Sequence, residues 1–241
     1  MRREGTRLRG ILFDKDGTLI DFDRTWGPAA HAVMATLAGG DRARFEALMR
    51  VSHYVEDERR FLATSPLLAG ASSIYGPLWA QVLDRPAGPD LYAEMDGLFR
   101  EAALRSLLPI GAPADLAAQL VGAGYALGIA TNDAEASARA QAEVLGLTQH
   151  LGFIAGYDSG HGAKPEMVLA FAAHLGVAPS RVALVGDTLA DTSAARAAGA
   201  VAIAVLSGPA GEVAREAMAA HADHVIGSIH DLPALLAEID A

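Results

Sequence analysis

Ile11-Leu12-Phe13-Asp14-Lys15-Asp16-Gly17-Thr18-Leu19 is the stretch that decides how this chain folds. Three apolar residues read as the end of a buried strand and run straight into two carboxylates and a glycine. Carboxylates at i and i+2, at the mouth of a strand, can converge on one reacting centre and one cation. A hydrophobic strand does not normally end in two acids unless that point needs negative charge.

Downstream of this run, short apolar segments alternate with amphipathic, alanine-rich ones. Residues 125–130, 153–155, 181–185, 201–206 and 224–226 read as buried strands, and 115–122, 134–145, 166–175 and 189–198 as the helices between them. Gly122, Gly146, Gly176 and Gly199 stand where helix C-caps are expected. This alternation predicts βαβ units and a doubly wound, Rossmann-like parallel sheet with both faces covered. Residues 21–107 show no comparable strand. Helical spacing over 31–37, 42–54 and 91–107, broken by Pro66, Gly70, Gly76-Pro77, Pro86 and Gly88-Pro89, predicts an all-helical insertion after the first strand. The expected division is a core of 1–20 with 108–241 and an inserted domain of 21–107.

Bulk properties exclude several classes. The 241-residue chain is 51% hydrophobic and 20% charged, ample for a packed core. Its formal charge of −10 argues against nucleic-acid binding, which needs clustered Lys and Arg. Cysteine is absent, which removes disulfides, thiolate catalysis and zinc–cysteine sites. Arg2, Arg3, Arg7 and Arg9 precede too short an apolar run for a signal peptide and read as a solvated lead-in. No apolar stretch reaches the length of a membrane span, so a soluble cytoplasmic protein is the expectation.

The other informative polar residues also fall at predicted strand ends, where open parallel sheets bind ligands. The strand at 125–130 ends in Thr131-Asn132-Asp133, and that at 181–185 in Gly186-Asp187-Thr188 with Asp191 one turn later. Between them, Lys164 opens a helix beside Pro165. Such residues suit phosphoryl transfer. One carboxylate can attack phosphorus, a second can move the proton, and a lysine, a hydroxyl and backbone N–H groups can stabilise the transferring oxygens. Magnesium needs only one or two protein carboxylates because it keeps several waters. Plainer readings exist for each: Asp14 and Asp16 as turn residues, Thr131 as an N-cap, Lys164 as a solvated lysine, Asp187 and Asp191 as partners of a helix dipole.

These four motifs, in this order, resemble the phosphatases of the haloacid dehalogenase superfamily. Asp14-Lys15-Asp16-Gly17-Thr18 is similar to the family's first motif, Thr131 to the second, Lys164 to the third, and Gly186-Asp187-Thr188 with Asp191 to the fourth. The insertion lies where one subclass, similar to phosphoglycolate phosphatases, keeps a helical cap. The resemblance implies Asp14 as nucleophile and Mg²⁺ ligand, and Asp16 as general acid/base with its backbone carbonyl on the metal. It implies Thr131 and Lys164 as catalytic partners, Gly17, Thr18 and Asn132 as substrate contacts, and Asp187 in the metal site. Asp191 is left between ligating the metal and orienting a metal-bound water or Lys164. The implied reaction is Mg²⁺-dependent hydrolysis of a small phosphorylated metabolite, phosphoglycolate or a similar ester, through an aspartyl-phosphate. A sugar phosphomutase and a non-catalytic phosphate-binding module are the rivals, and oligomeric state is not legible. A dehalogenase is disfavoured because it has no need of the acid/base at Asp16.

Substrate choice is expected to reside in the insertion and in a loop at 21–26, with Arg24, His53, Tyr54 and Arg59 as candidate contacts. Other apparent signals are set aside. The glycines at 122, 124 and 128 precede a strand instead of following one, and Lys164 lacks the glycine context of a nucleotide-binding lysine. His221 and His224 read as a solvated pair, and His161 as a surface-loop residue.

Overall fold

Gly10–Phe13 forms β1, buried along its whole length. The computed structural model describes residues 7–69 and 71–239, so Arg2, Arg3 and Gly70 lie outside the described residues. A Cβ at Gly10 would stand 2.6 Å from Leu175 and 2.8 Å from Phe171, so the glycine lets the covering helix sit directly on the strand.

The inserted segment follows. It contains α1 (Phe22–Ala38), α2 (Arg42–Val51), β2 (Tyr54–Val55), β3 (Arg60–Phe61), α3 (Ser72–Leu83) and α4 (Pro89–Ser106). The chain then runs α5 (Pro113–Gly122), β4 (Ala126–Ala130), α6 (Glu135–Val144), β5 (Leu151–Ala155), α7 (Lys164–Leu175) and β6 (Val182–Gly186). It ends with α8 (Leu189–Ala198), β7 (Val201–Val205), α9 (Arg215–Ala219), β8 (His224–Ile226) and α10 (Leu232–Ile239). Gly176 and Gly199 cap α7 and α8 in the left-handed region, as expected of C-terminal glycines.

The six-stranded sheet has the order β5-β4-β1-β6-β7-β8, and every pairing in it is parallel. From β1 the chain builds outward through β4 and β5, then returns to the other side for β6, β7 and β8. The order therefore reverses at β1, and the carboxyl end of β1 is the topological switch point where such sheets bind ligands. One apolar layer packs Ile11, Phe13, Ile129 and Val185 against Leu116, Leu120 and Leu232. The opposite layer packs Leu12, Leu184 and Ala202 against Met167, Phe171 and Ala195. This is the doubly wound α/β sheet expected from the alternation.

The insertion has its own apolar cluster, with Trp79, Met34, Leu48 and Met95 fully buried in it. It leaves and rejoins the sheet side by side: the Asp21 N–H donates to Leu108 O at 2.9 Å and the Ile110 N–H to Leu19 O at 2.9 Å. It is not wholly helical. The helix expected over 42–54 stops at Val51, and Tyr54–Val55 pairs antiparallel with Arg60–Phe61. His53 and Arg59 adopt φ of 49° and 48°, which end helical geometry on either side of the turn. Tyr54 and Phe61 face each other across the ribbon with ring centroids 5.4 Å apart, so two aromatic strand-formers hold the pair. The segment 21–26 is likewise not a loop. Asp21 caps α1 by accepting from the Arg24 N–H at 3.0 Å, and 22–26 form its first turns. Among the described residues, no helix is long and apolar enough to cross a membrane.

Candidate active site

Parallel register sets the site. Phe13 pairs with Ile129 on one side and Val185 on the other, so β1, β4 and β6 end level with one another. Asp14, Thr131 and Asp187 follow at these ends and line one cavity of about 580 Å³ together with Asp16, Asn132 and Lys164. The six residues come from four separate segments of sequence.

Lys164, the first residue of α7, lies between two acids. Its Nζ stands 2.8 Å from Asp14 Oδ1 and 2.5 Å from Asp191 Oδ1, and all three groups are buried. Burial alone would lower the lysine, but Asp14 and Asp191 outweigh it and hold its pKa above the ordinary value. Asp191 is also committed locally. Its Oδ2 accepts from the Thr188 N–H at 3.0 Å and the Thr188 hydroxyl at 2.5 Å, while Thr188 caps α8 in return. Asp191 thus caps α8 together with Thr188, with only one of its two oxygens.

Asp187 is hemmed in by backbone. A Cβ at Gly17 would lie 2.3 Å from its carboxylate, and one at Gly208 1.9 Å. Gly17 also has φ of +82°, which the tight turn after Asp16 requires. Thr18, fully buried, donates from its hydroxyl to Asp187 Oδ1 at 3.4 Å. Gly17 and Thr18, expected as substrate contacts, are not among the residues that line the cavity. Both pack against Asp187. Thr131 is not an N-cap: α6 starts after Ala134, and the Thr131 hydroxyl accepts from the Asp133 N–H at 3.1 Å in a local turn.

The carboxylates of Asp14, Asp187 and Asp191 lie with one oxygen of each within 4.8 Å of the others, all buried. Burial, opposed by Lys164 and reinforced by Asp191 and Asp16, pushes Asp14 up to about 7. Burial and the neighbouring Asp14 and Asp191 hold Asp187 well above the carboxylate range. One lysine cannot balance three ionised carboxylates, and the oxygen-only donor set suits a hard divalent cation. The residues fit such an ion. The Asp16 side chain is not in this cluster.

Asp16 is held by two residues that the sequence reading passed over. Lys15, only 1% exposed, places its Nζ 2.9 Å from Asp16 Oδ2 and 3.1 Å from Asp133 Oδ2. The contact to Asp133 is an ion pair by distance, without the geometry of a full hydrogen bond. Burial opposes the charge on Lys15, but Asp16 and Asp133 raise its pKa above the ordinary lysine value. Trp26, on α1, donates its indole N–H to Asp16 Oδ1, and its ring lies 4.9 Å from Lys15 Nζ. The only sequence signal for Lys15 was its place between two aspartates.

The remaining candidates fall elsewhere. Arg24, His53, Tyr54 and Arg59 do not line the cavity. The Tyr54 hydroxyl donates to Gly27 O at 2.8 Å inside the insertion, and His53 Nδ1 pairs with the Thr64 hydroxyl at 2.8 Å. Arg60, one residue on, reaches the cavity, as do Phe22, Asp23 and Trp26 from 21–26. His161 is exposed and stacks on Phe153 with centroids 5.5 Å apart, as a surface residue should. His221 is exposed and His224 half-buried, and neither belongs to the acidic cluster.

The profile of the haloacid dehalogenase-like hydrolases matches residues 8–199. The probable phosphatase IndB of Dickeya dadantii (strain 3937) is 31% identical over 202 residues, covering 82% of this chain and 81% of its own. The phosphoglycolate phosphatase of Chromobacterium violaceum is 30% identical over 240 residues, covering 93% and 95%. A putative phosphatase from Clostridium difficile shares the fold with a TM-score of 0.69 over 95% of this chain and 99% of its own, at 17% identity. The profile match takes in Asp14, Asp16, Thr131, Lys164, Asp187 and Asp191, and the chain belongs to the haloacid dehalogenase-like hydrolases.

Proposed function

We propose that this protein is a Mg²⁺-dependent phosphatase that hydrolyses a phosphate monoester through a phosphoaspartate on Asp14. The observation that carries the reading is the position of Asp14: it ends β1 at the switch point, lines the cavity, and has one oxygen tied to Lys164 at 2.8 Å. Relatives named as phosphatases support it.

In the proposed reaction, a carboxylate oxygen of Asp14 attacks phosphorus, and the P–O bond to the leaving alcohol breaks. Asp16, on the cavity wall, gives its proton to the departing alkoxide. A water then attacks phosphorus and loses a proton to Asp16, so phosphate leaves and both aspartates are restored. Thr131 and Asn132 border the same cavity and are assigned to phosphoryl oxygens, with Lys164 balancing charge on Asp14. Asp14 and Asp187, with the Asp16 backbone carbonyl, are assigned to hold the cation, whose charge offsets that of the phosphoryl oxygens. Asp191 is assigned to orient Lys164, because both its oxygens are engaged by Lys164 and Thr188. We assign 1–20 and 108–241 to the catalytic core and 21–107 to a cap that excludes water.

Phosphate release from a panel of monoesters, with Mg²⁺ and with EDTA, tests this reading. It expects release with Mg²⁺, abolished by EDTA and by Asp14→Asn. A product mixture of isomerised sugar phosphates without free phosphate would make the chain a mutase. No product from any ester would make it a binding module.

A further inference from the structure

The cavity above Asp14 is far larger than a phosphoryl group needs, and its walls are chemically one-sided. At about 580 Å³ it falls in the size range of sites for drug-sized ligands. Phe22, Trp26, Phe61, Tyr75, Phe99 and Met218 form much of its wall. Tyr75, Phe61 and Phe99 are themselves buried and pack on neighbouring rings, so they make a fixed aromatic surface.

Charge along the wall is also one-sided. Among the residues lining the cavity, Lys164 and Arg60 are the only fixed cations. Lys164 is engaged by Asp14 and Asp191, and Arg60 Nε lies 2.5 Å from Glu58 Oε2. Facing the same space are Asp23, Asp96 and Asp133, besides the acids assigned to catalysis. Asp96, on α4, accepts from the Tyr157 hydroxyl at 2.9 Å across the joint between insertion and sheet. A leaving group bearing a carboxylate would meet aromatic faces and carboxylates, and the one cation there outside the catalytic group, Arg60, is already paired with Glu58. Desolvation and like-charge repulsion would both oppose it.

We propose that the substrate is the phosphate monoester of a bulky, predominantly apolar alcohol, ring-sized or larger, that carries no second negative charge. This rests on the phosphatase reading above, and it departs from the phosphoglycolate expected by resemblance. Glycolate offers two carbons and a carboxylate, so it would leave the aromatic wall unused.

The test compares kcat/KM, with Mg²⁺, for ethyl phosphate, 2-phenylethyl phosphate, 2-(4-carboxyphenyl)ethyl phosphate and phosphoglycolate. Since one methylene in an apolar pocket is worth roughly tenfold or more, 2-phenylethyl phosphate should exceed ethyl phosphate by at least about tenfold. Its carboxylated analogue should fall back by at least about tenfold. Leu62→Arg places a cation on the cavity wall at a residue 43% exposed, where the fold is not at stake. It should narrow the deficit of the carboxylated analogue relative to 2-phenylethyl phosphate several-fold. Phosphoglycolate or the carboxylated ester as the best substrate, or equal turnover of ethyl and phenylethyl esters, would overturn the proposal and leave the phosphatase reading standing. Failure to release phosphate from any ester would overturn both.

Discussion

The indole N–H of Trp26 donates to Oδ1 of Asp16, so the first helix of the insertion touches the residue assigned to move the proton. A hydrogen bond to a charged group contributes about 1.5–3 kcal/mol. Trp26→Phe keeps an aromatic wall but removes the donor. We expect kcat to fall about 10- to 100-fold, with a melting temperature within a few degrees of wild type. Steady-state kinetics beside thermal melts check this, and an unchanged kcat would show that the contact does not position Asp16.

Lys15 is the buried cation of the neighbouring cluster. Removing one partner of a buried ion pair strands the other, at a cost of about 3–5 kcal/mol. Lys15→Met leaves Asp16 and Asp133 without the ammonium that lies 2.9 and 3.1 Å away. Urea unfolding should show a loss of that order, and Asp133→Asn in the same chain should recover part of it. A loss under about 1 kcal/mol would contradict the assignment.

Cation binding should be visible without turnover. Burial and neighbouring carboxylates hold Asp14 and Asp187 above the usual carboxylate range, so a cation that binds them stabilises their charged forms. A divalent ion that binds only the folded chain, at a concentration 100 times its Kd, adds about 2.7 kcal/mol. For a chain of this size that raises the melting temperature by about 5–10 °C. Differential scanning calorimetry should show the rise with Mg²⁺, its reversal by EDTA, and its loss in Asp187→Asn.

Gly208 tests how tightly Asp187 is held. A methyl group there would sit 1.9 Å from the Asp187 carboxylate, so the carboxylate must move. Gly208→Ala should cut kcat/KM at least about 100-fold while circular dichroism shows a folded chain. Wild-type activity would mean that the position of Asp187 is not critical.

The sheet was legible because its strands are short, almost wholly apolar and punctuated by glycine, so buried β and covering helix separate cleanly. The strand-end acids were legible for the same reason: Asp14, Asp16 and Asp187 interrupt runs that otherwise have no charge. The β2–β3 ribbon was not, since two-residue strands carry no periodicity and the break depends on His53 and Arg59 entering the left-handed region. The contacts of Trp26 and Lys15 with Asp16 were hidden because they depend on how the insertion docks on the sheet. For the same reason Arg24, His53, Tyr54 and Arg59 could not be told from Arg60 by spacing alone.

The measurement that bears most directly on the central assignment is acid quenching of an early turnover with a ³²P-labelled monoester. Label is expected covalently attached to the peptide that contains Asp14, and absent in Asp14→Asn. Full turnover with all label in free phosphate, and none on that peptide at any quench time, would contradict that assignment.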